Sequence, residues 1–328
     1  LGDSQLGSTL SRGFLQGSQL LTLKFSRSQE LQADELGIQY LNSAGYDPRA
    51  MGTVLQSLAL QNSLDARLQG RDDARVPAWA STHPDPASRV QTALQKAGAA
   101  GGTTNRDTFL TRIDGLTYGD SPKQGIVEGR QFIHPELRLA FTVPQGYYMV
   151  NGTRAVSING QSGKAQFSTG PYNGNLDSYI GNVFSALSSQ DQQLRPSNIQ
   201  RTTVNGIPAA YGTAKVNSGN GTVDVVVFAY QFDNNTAYHF ATISQAGRAS
   251  AFTPMFNSLR RISASQAAAI VPRRIDVVTV GRGDNVQSLS NRMAYDNGQV
   301  ERFRVLNGLA SNDVLQPGQK VKLIVRGN

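Results

Sequence analysis

The sequence of 328 residues contains no cysteine. Disulfides, thiolate metal sites and thiol catalysis are thereby excluded. An oxidising compartment is compatible with that lack but not required by it. Histidine is scarce: only His83, His134 and His239 occur. Charged residues make up 16% of the chain, a low share for a cytosolic protein. No apolar run approaches the ~20 residues of a membrane span. No Lys/Arg-rich run or basic-aromatic pattern is present, so nucleic acid is not an expected partner. The net charge is nevertheless +8, with a pI near 9.8. Such a balance suits an anionic envelope or an acidic polymer as neighbour. An initiating methionine is lacking too, and no signal peptide is visible. The expectation from that start is a processed or partial chain.

What is present divides into three parts. Residues 1 to 98 read as helical. Leu6, Leu10, Phe14, Leu21 and Phe25 recur at helical spacing. A second helix runs from about Arg27 to Ala44 and ends at Gly45. A third opens at Asp47-Pro48, with Asp as cap and Pro in the first turn, and carries the stripe Met51, Val54, Leu55, Leu58. Asp85-Pro86 opens a fourth, with Val90 and Leu94. The small, apolar-poor run "KAGAAGGTTN" marks a boundary, and residues 99–124 read as a linker. Residues 125–265 are β-rich. "LRLAFTVP", "TVDVVVFAYQF" and "TAYHFATIS" read as strands, punctuated by Asn159-Gly160, Asn205-Gly206 and Asn220-Gly221 turns. Helices are expected near 176–188 and 250–260. The expected fold is α+β with an antiparallel sheet. After a linker at 266–274, residues 275–328 read β-α-α-β.

One feature of the second helix is at odds with simple amphipathicity. At about 100° per residue, Gln29, Gln32, Glu35, Gln39, Asn42 and Ser43 form a polar arc. Leu31, Ala33, Gly37, Ile38, Leu41 and Ala44 form the opposite arc, and Glu30 and Asp34 fall in its middle. They are four residues apart and therefore neighbours. Like charges there repel, and an unpaired buried carboxylate is costly. Something cationic must face them: a metal, an Arg or a His. Two readings stay open. One is a buried ion pair or a frayed helix end. The other is a metal ligand with an outer carboxylate that orients a neighbouring His.

"SRSQELQADELGIQYLNSAGYDPRAM" with the later "STHPDPASR" resembles the gluzincin metallopeptidases of the CAAX-prenyl-protease type, in particular their periplasmic β-barrel-assembly-enhancing branch. Members carry H-E-x-x-H on one helix, E-x-x-A-D on a later one, and an S-T-H-P segment with a downstream Arg. Glu30-Leu31-Gln32-Ala33-Asp34 supplies the second motif here. The resemblance implies that Glu30 is a protein ligand of a catalytic Zn2+ and that Asp34 orients a zinc-bound His. It implies that His83 stands over the metal, and that Arg89 holds the substrate carbonyl or the carboxylate network. The implied chemistry is attack of zinc-bound water on a peptide bond.

The sequence departs from that pattern in one respect. None of its three histidines lies in H-E-x-x-H, and only 29 residues precede Glu30. The two His ligands and the general base are missing. The expectation is a C-terminal portion of a metallopeptidase whose H-E-x-x-H helix lies upstream. Alone it would be inactive and bind little or no zinc.

Residues 275–326 resemble a LysM module, through "VTVGRGDNVQSLSNRM", "FRVLNGL" and "LQPGQKVKLIV". Such modules bind N-acetylglucosamine-containing glycans. The implied lips are Gly283, Asp284, Asn285 and Val286 on one side, and Asn307, Gly308 and Leu309 on the other. Asn285-Val286 stands where members often have Thr-Leu. Residues 272–328 hold nine Lys and Arg against five Asp and Glu, a balance suited to an anionic cell wall. A structural module that binds nothing is the competing reading. The middle region offers no catalytic constellation and resembles small α/β sandwiches of the photosystem-accessory type.

The expected whole is multidomain: an all-α metallopeptidase portion, an α+β middle domain with an antiparallel sheet, and a small LysM-like C-terminal domain. The leading functional expectation is part of a periplasmic zinc endopeptidase of a Gram-negative envelope, acting on envelope proteins and held by peptidoglycan. A non-catalytic peptidoglycan-binding protein on a degenerate peptidase scaffold is the second reading. A chaperone for outer-membrane proteins is the third.

Overall fold

The computed structural model describes residues 27–68, 86–98, 101–188, 193–218 and 221–327. These form two compact units, one built from residues 27–119 with 272–327, the other from 120–271. Helices and antiparallel sheets make up both. Among the described residues no helix is long and apolar enough to cross a membrane.

The first unit begins with α1 (Arg27–Ser43), α2 (Ala50–Leu68) and α3 (Pro86–Ala97). Ile38, Leu55 and Ala93, one from each helix, form a small shared core with Met51, Val90 and Ala97 against it. The stripe expected on α2 is rotated. Leu55 is buried and Met51 partly so, but Val54 and Leu58 are exposed. Gly52 takes the inward place, where a Cβ would lie 2.6 Å from Leu94 Cδ2. Asp47 precedes α2 by a turn and accepts from the Arg49 amide at 2.9 Å. The helix starts two residues later than its Pro suggested.

The run read as a linker carries structure. Thr103 and Tyr46 form a parallel bridge, with Thr103 N–H donating to Gly45 O at 3.0 Å and Asp47 N–H to Thr103 O at 3.2 Å. Helix α4 (Arg106–Ile113) follows and buries Leu110.

The second unit has three layers. Seven antiparallel strands stand in the order β4-β5-β6-β10-β9-β8-β7: β4 (Tyr148–Asn151), β5 (Val156–Gly160), β6 (Gly163–Thr169), β7 (Ile199–Val204), β8 (Ile207–Ser218), β9 (Gly221–Gln231) and β10 (Ala237–Gln245). One face holds Val225, Val227, Ala229 and Ala241 under α5 (Leu176–Leu187), which contributes Tyr179, Ile180 and Phe184. The other face holds Phe167, Phe228, Tyr230 and Phe240. It is covered by β1 (Ile126–Glu128), β2 (Gln131–His134), β3 (Leu139–Thr142) and β11 (Arg260–Arg261), which form a four-stranded sheet, and by α6 (Thr253–Ser258). Burial on both faces explains why "VDVVVFAY" runs nearly unbroken in apolar residues. Asn205 and Gly206 both take positive φ, 50° and 76°. They close the β7–β8 hairpin as that dipeptide suggests. Asn159 and Gly160 instead lie within β5, paired with Lys164 and Gly163. Asn220 lies outside the described residues. A short α7 (Ala264–Ala268) ends this unit.

The chain then returns to the first unit. Here β12 (Arg273–Thr279) and β13 (Lys320–Arg326) pair antiparallel around α8 (Val286–Ser290) and α9 (Gln299–Asn307). The core is Val280, Leu289, Met293, Phe303, Val321, Leu323 and Ile324. Gly308 ends α9 in the left-handed region, φ 65°.

Candidate functional site

The two inward carboxylates of α1 are buried, Glu30 at 6% exposure and Asp34 at 7%. Their position follows from the helix: Ile38, one turn further on, is the α1 residue in the three-helix core. The cation facing them is Arg89, in the first turns of α3 and itself buried. Its Nε and Nη2 donate to Asp34 Oδ2 and Oδ1 at 2.8 and 2.5 Å. Its Nη1 donates to Glu30 Oε2 at 2.8 Å. A planar guanidinium is the side chain that can serve a bidentate and a single contact at once. The Asp34 hydrogen bond is the main force holding Arg89 charged. Burial opposes it, and the charges of Asp34 and Glu30 add to it.

Of the expected site residues, the structure therefore brings Glu30, Asp34 and Arg89 together. His83 lies outside the described residues. His134 and His239 belong to the sheet unit. His134 is buried on β2 and its Nδ1 accepts from the Leu137 amide at 3.3 Å. His239 is buried on β10, its Nδ1 2.9 Å from Tyr179 Oη and its Nε2 3.1 Å from Ser168 Oγ. Burial depresses the His239 pKa to about 4. The sequence pattern gave no sign of this Ser–His–Tyr chain, because Ser168 and His239 meet through the β6–β10 pairing and Tyr179 comes from α5 packed over the sheet.

Among the described residues no group of three or more His, Asp or Glu could hold a metal. Asp34 spends both oxygens on Arg89, and Glu30 spends one.

In the C-terminal module the expected lips differ in character. Gly283, Asn285 and Gly308 are exposed, while Asp284 and Leu309 are partly so. Asp284 Oδ2 accepts from the Gly281 amide at 2.8 Å. Asn285 caps α8, accepting from the Ser288 amide at 2.9 Å. Val286 is buried in the module's core. The Asn307 amide ties α9 to β13: its Oδ1 accepts from Lys322 N–H at 2.7 Å and its Nδ2 donates to Lys322 O at 2.9 Å.

Comparison with known proteins assigns both ends of the chain. Residues 3–97 match Peptidase family M48, and residues 278–323 match the LysM domain. The chain carries an M48 segment and a LysM domain. The M48 segment is homologous to the β-barrel assembly-enhancing protease of Escherichia coli (strain K12), 36% identical over 97 residues, 30% of this chain and 18% of that protein. The Yersinia pestis protein of the same name is 35% identical over 97 residues, with the same coverage. The match thus spans under a fifth of these relatives' length. Solved structures similar to the chain include one from Bacteroides thetaiotaomicron VPI-5482, 9% identical, covering 61% of this chain and 87% of that one with a TM-score of 0.34. Cyanobacterial PsbP from Synechocystis sp. PCC 6803 is 11% identical, covering 45% and 98%, with a TM-score of 0.32. At those scores neither carries an argument about the fold or function of the sheet unit.

Proposed function

We propose that the chain is the C-terminal portion of a zinc-dependent endopeptidase of the Gram-negative periplasm that acts on envelope proteins. Its layout would be a helical peptidase portion, an α+β middle domain and a LysM-like domain that holds peptidoglycan. The observation that carries the reading is the buried Glu30–Asp34–Arg89 cluster, inside the segment that matches the M48 family. In that arrangement Glu30 would supply one zinc ligand, Asp34 would orient a ligand histidine, and His83 would stand over the metal. Bound zinc would supply Lewis-acid activation of water. The histidine pair and general base would come from outside these residues, since this chain has no H-E-x-x-H. Alone, the chain is therefore inactive in this reading. Arg89's part is to hold the two carboxylates in place.

The test is casein hydrolysis by the longest reading frame that contains this chain. The expected result is activity abolished by a chelator and by Glu30→Gln. Hydrolysis indifferent to both, or none at all, would overturn the reading.

One observation favours a second reading. Arg89 already pairs with both carboxylates without a metal. A degenerate peptidase scaffold that only displays a peptidoglycan-binding module would look the same here. A reading frame lacking H-E-x-x-H would decide for it.

A further inference from the structure

The LysM domain is expected to be a tethered targeting tail, but its contacts describe something else. Its sheet does not end at β12. Gly115 N–H donates to Ile275 O at 2.9 Å, Ile275 N–H to Leu116 O at 2.9 Å, and Tyr118 N–H to Arg273 O at 2.8 Å. Thr117 and Arg274 form an antiparallel bridge. Residues 115–118 thus act as a third strand, contributed by the segment between the M48 helices and the sheet unit. Asp114 Oδ1 accepts from the Val277 amide at 2.9 Å. Tyr118 packs its ring on the domain's hydrophobic core.

Helix α4 adds a second attachment. Arg106 Nη2 donates to Lys320 O at 2.8 Å, and Lys320 Nζ donates to Thr111 Oγ1 at 3.0 Å. A third lies where α9 meets α2. Gly298, at the start of α9, sits so close to Leu68 that a Cβ there would lie 2.9 Å from Leu68 Cδ2. One turn on, the positive charge of Arg302 reaches Asp65 of α2. Three separate elements of the N-terminal segment therefore hold the domain.

We propose that residues 272–327 are a fixed brace for the M48 helices, an intramolecular interface whose partner is the C-terminal turn of α2, helix α4 and the strand 115–118. Helix α9 runs through this arrangement as a connecting rod. Its first turn rests on α2 and its last carries Asn307 and Gly308. At 1.5 Å per residue its nine residues span about 13 Å. A glycan held at that lip would therefore fix the α1–α3 cluster at a set distance from the polymer, instead of leaving it on a flexible leash. The brace itself does not depend on the peptidase reading or on glycan binding.

The test uses the full chain with a protease recognition loop inserted between Ala268 and Ala269, both exposed. After cutting in native buffer, the C-terminal fragment should co-elute with the rest on size exclusion. Leu68→Glu should weaken its retention about tenfold, equivalent to about 1.4 kcal/mol. So should the pair Arg106→Ala and Thr111→Ala, at exposed positions that leave each fold intact. Separation of the fragment on cutting overturns the proposal. So does co-elution that none of these substitutions weakens, because the fragment would then be held by something else.

Discussion

Arg89 grips Asp34 with two parallel hydrogen bonds, Nε to Oδ2 at 2.8 Å and Nη2 to Oδ1 at 2.5 Å, across 55 positions of sequence. Glu30 receives one. The pairing sets an order of damage. Arg89→Met removes the cation and leaves two neighbouring carboxylates buried, which should cost about 3–5 kcal/mol. Asp34→Asn loses the charge of the bidentate partner and should cost less. Glu30→Gln should cost least, because it leaves the Arg89–Asp34 pair whole. Hydrogen exchange of α1 and α3 peptides in the three variants measures that order. A Glu30→Gln variant as damaged as Arg89→Met would contradict it.

His239 makes the sheet unit acid-sensitive. Unfolded, its imidazole titrates near 6.5, whereas burial pushes it to about 4 in the fold. Between those values the unfolded chain takes up a proton that the fold refuses. Stability is therefore complete above pH ~6.5 and falls as pH drops toward 4, by about 1.4 kcal/mol per unit and ~3 kcal/mol in all. Burial lowers His134 as well, against the opposing charge of Glu136, so it adds a slope of the same sign. His239→Gln keeps a hydrogen-bonding group without the titration. Urea midpoints at pH 7, 5.5 and 4.5 should decline more gently in that variant.

The sequence made some of this legible and hid the rest, for physical reasons. Glu30 and Asp34 could be placed inward because a helix fixes the angle between residues within one segment. That Arg89 would be their cation was one of several possibilities, since partners on different helices follow no period. The zinc reading came from resemblance. Helix α2 turned by part of a turn because Gly52 offers space for Leu94 that no hydrophobic stripe records. Asn205-Gly206 declared its hairpin through backbone preference. Asn159-Gly160 has the same preference but yields to the β5–β6 register. Residues 106–118 read as a linker because a short helix and a four-residue strand have little local signal. Their partners lie more than 150 positions away, as Thr117 and Arg274 show.

Gly102 is expected to be intolerant of any side chain. A Cβ there would lie 2.6 Å from Asp47 N and from Tyr46 C, and 2.8 Å from Tyr46 O. All three atoms are backbone, so no side-chain rotation relieves the contact. Gly102→Ala must break the Tyr46–Thr103 bridge or shift the chain, at a cost of about 1–3 kcal/mol. Amide exchange at Thr103 and Asp47, whose N–H groups donate across the bridge, should accelerate while α5 and its sheet remain unchanged.

Asn307 separates two roles that the sequence could not. Its side-chain amide makes three internal hydrogen bonds, to Lys322 N–H, Lys322 O and Phe303 O, at 2.7, 2.9 and 3.0 Å. A residue so engaged shapes the lip by holding α9 to β13. Asn307→Ala would leave the part-buried Lys322 backbone without these partners, at about 1–3 kcal/mol. Amide exchange across β13 should then accelerate in the absence of any ligand. A variant that lost affinity for N-acetylglucosamine oligomers with β13 exchange unchanged would instead make Asn307 a direct contact. Asn285→Ala supplies the comparison, since Asn285 is exposed and caps only the short α8. Its loss should loosen α8 by about 1 kcal/mol and leave β13 as it was.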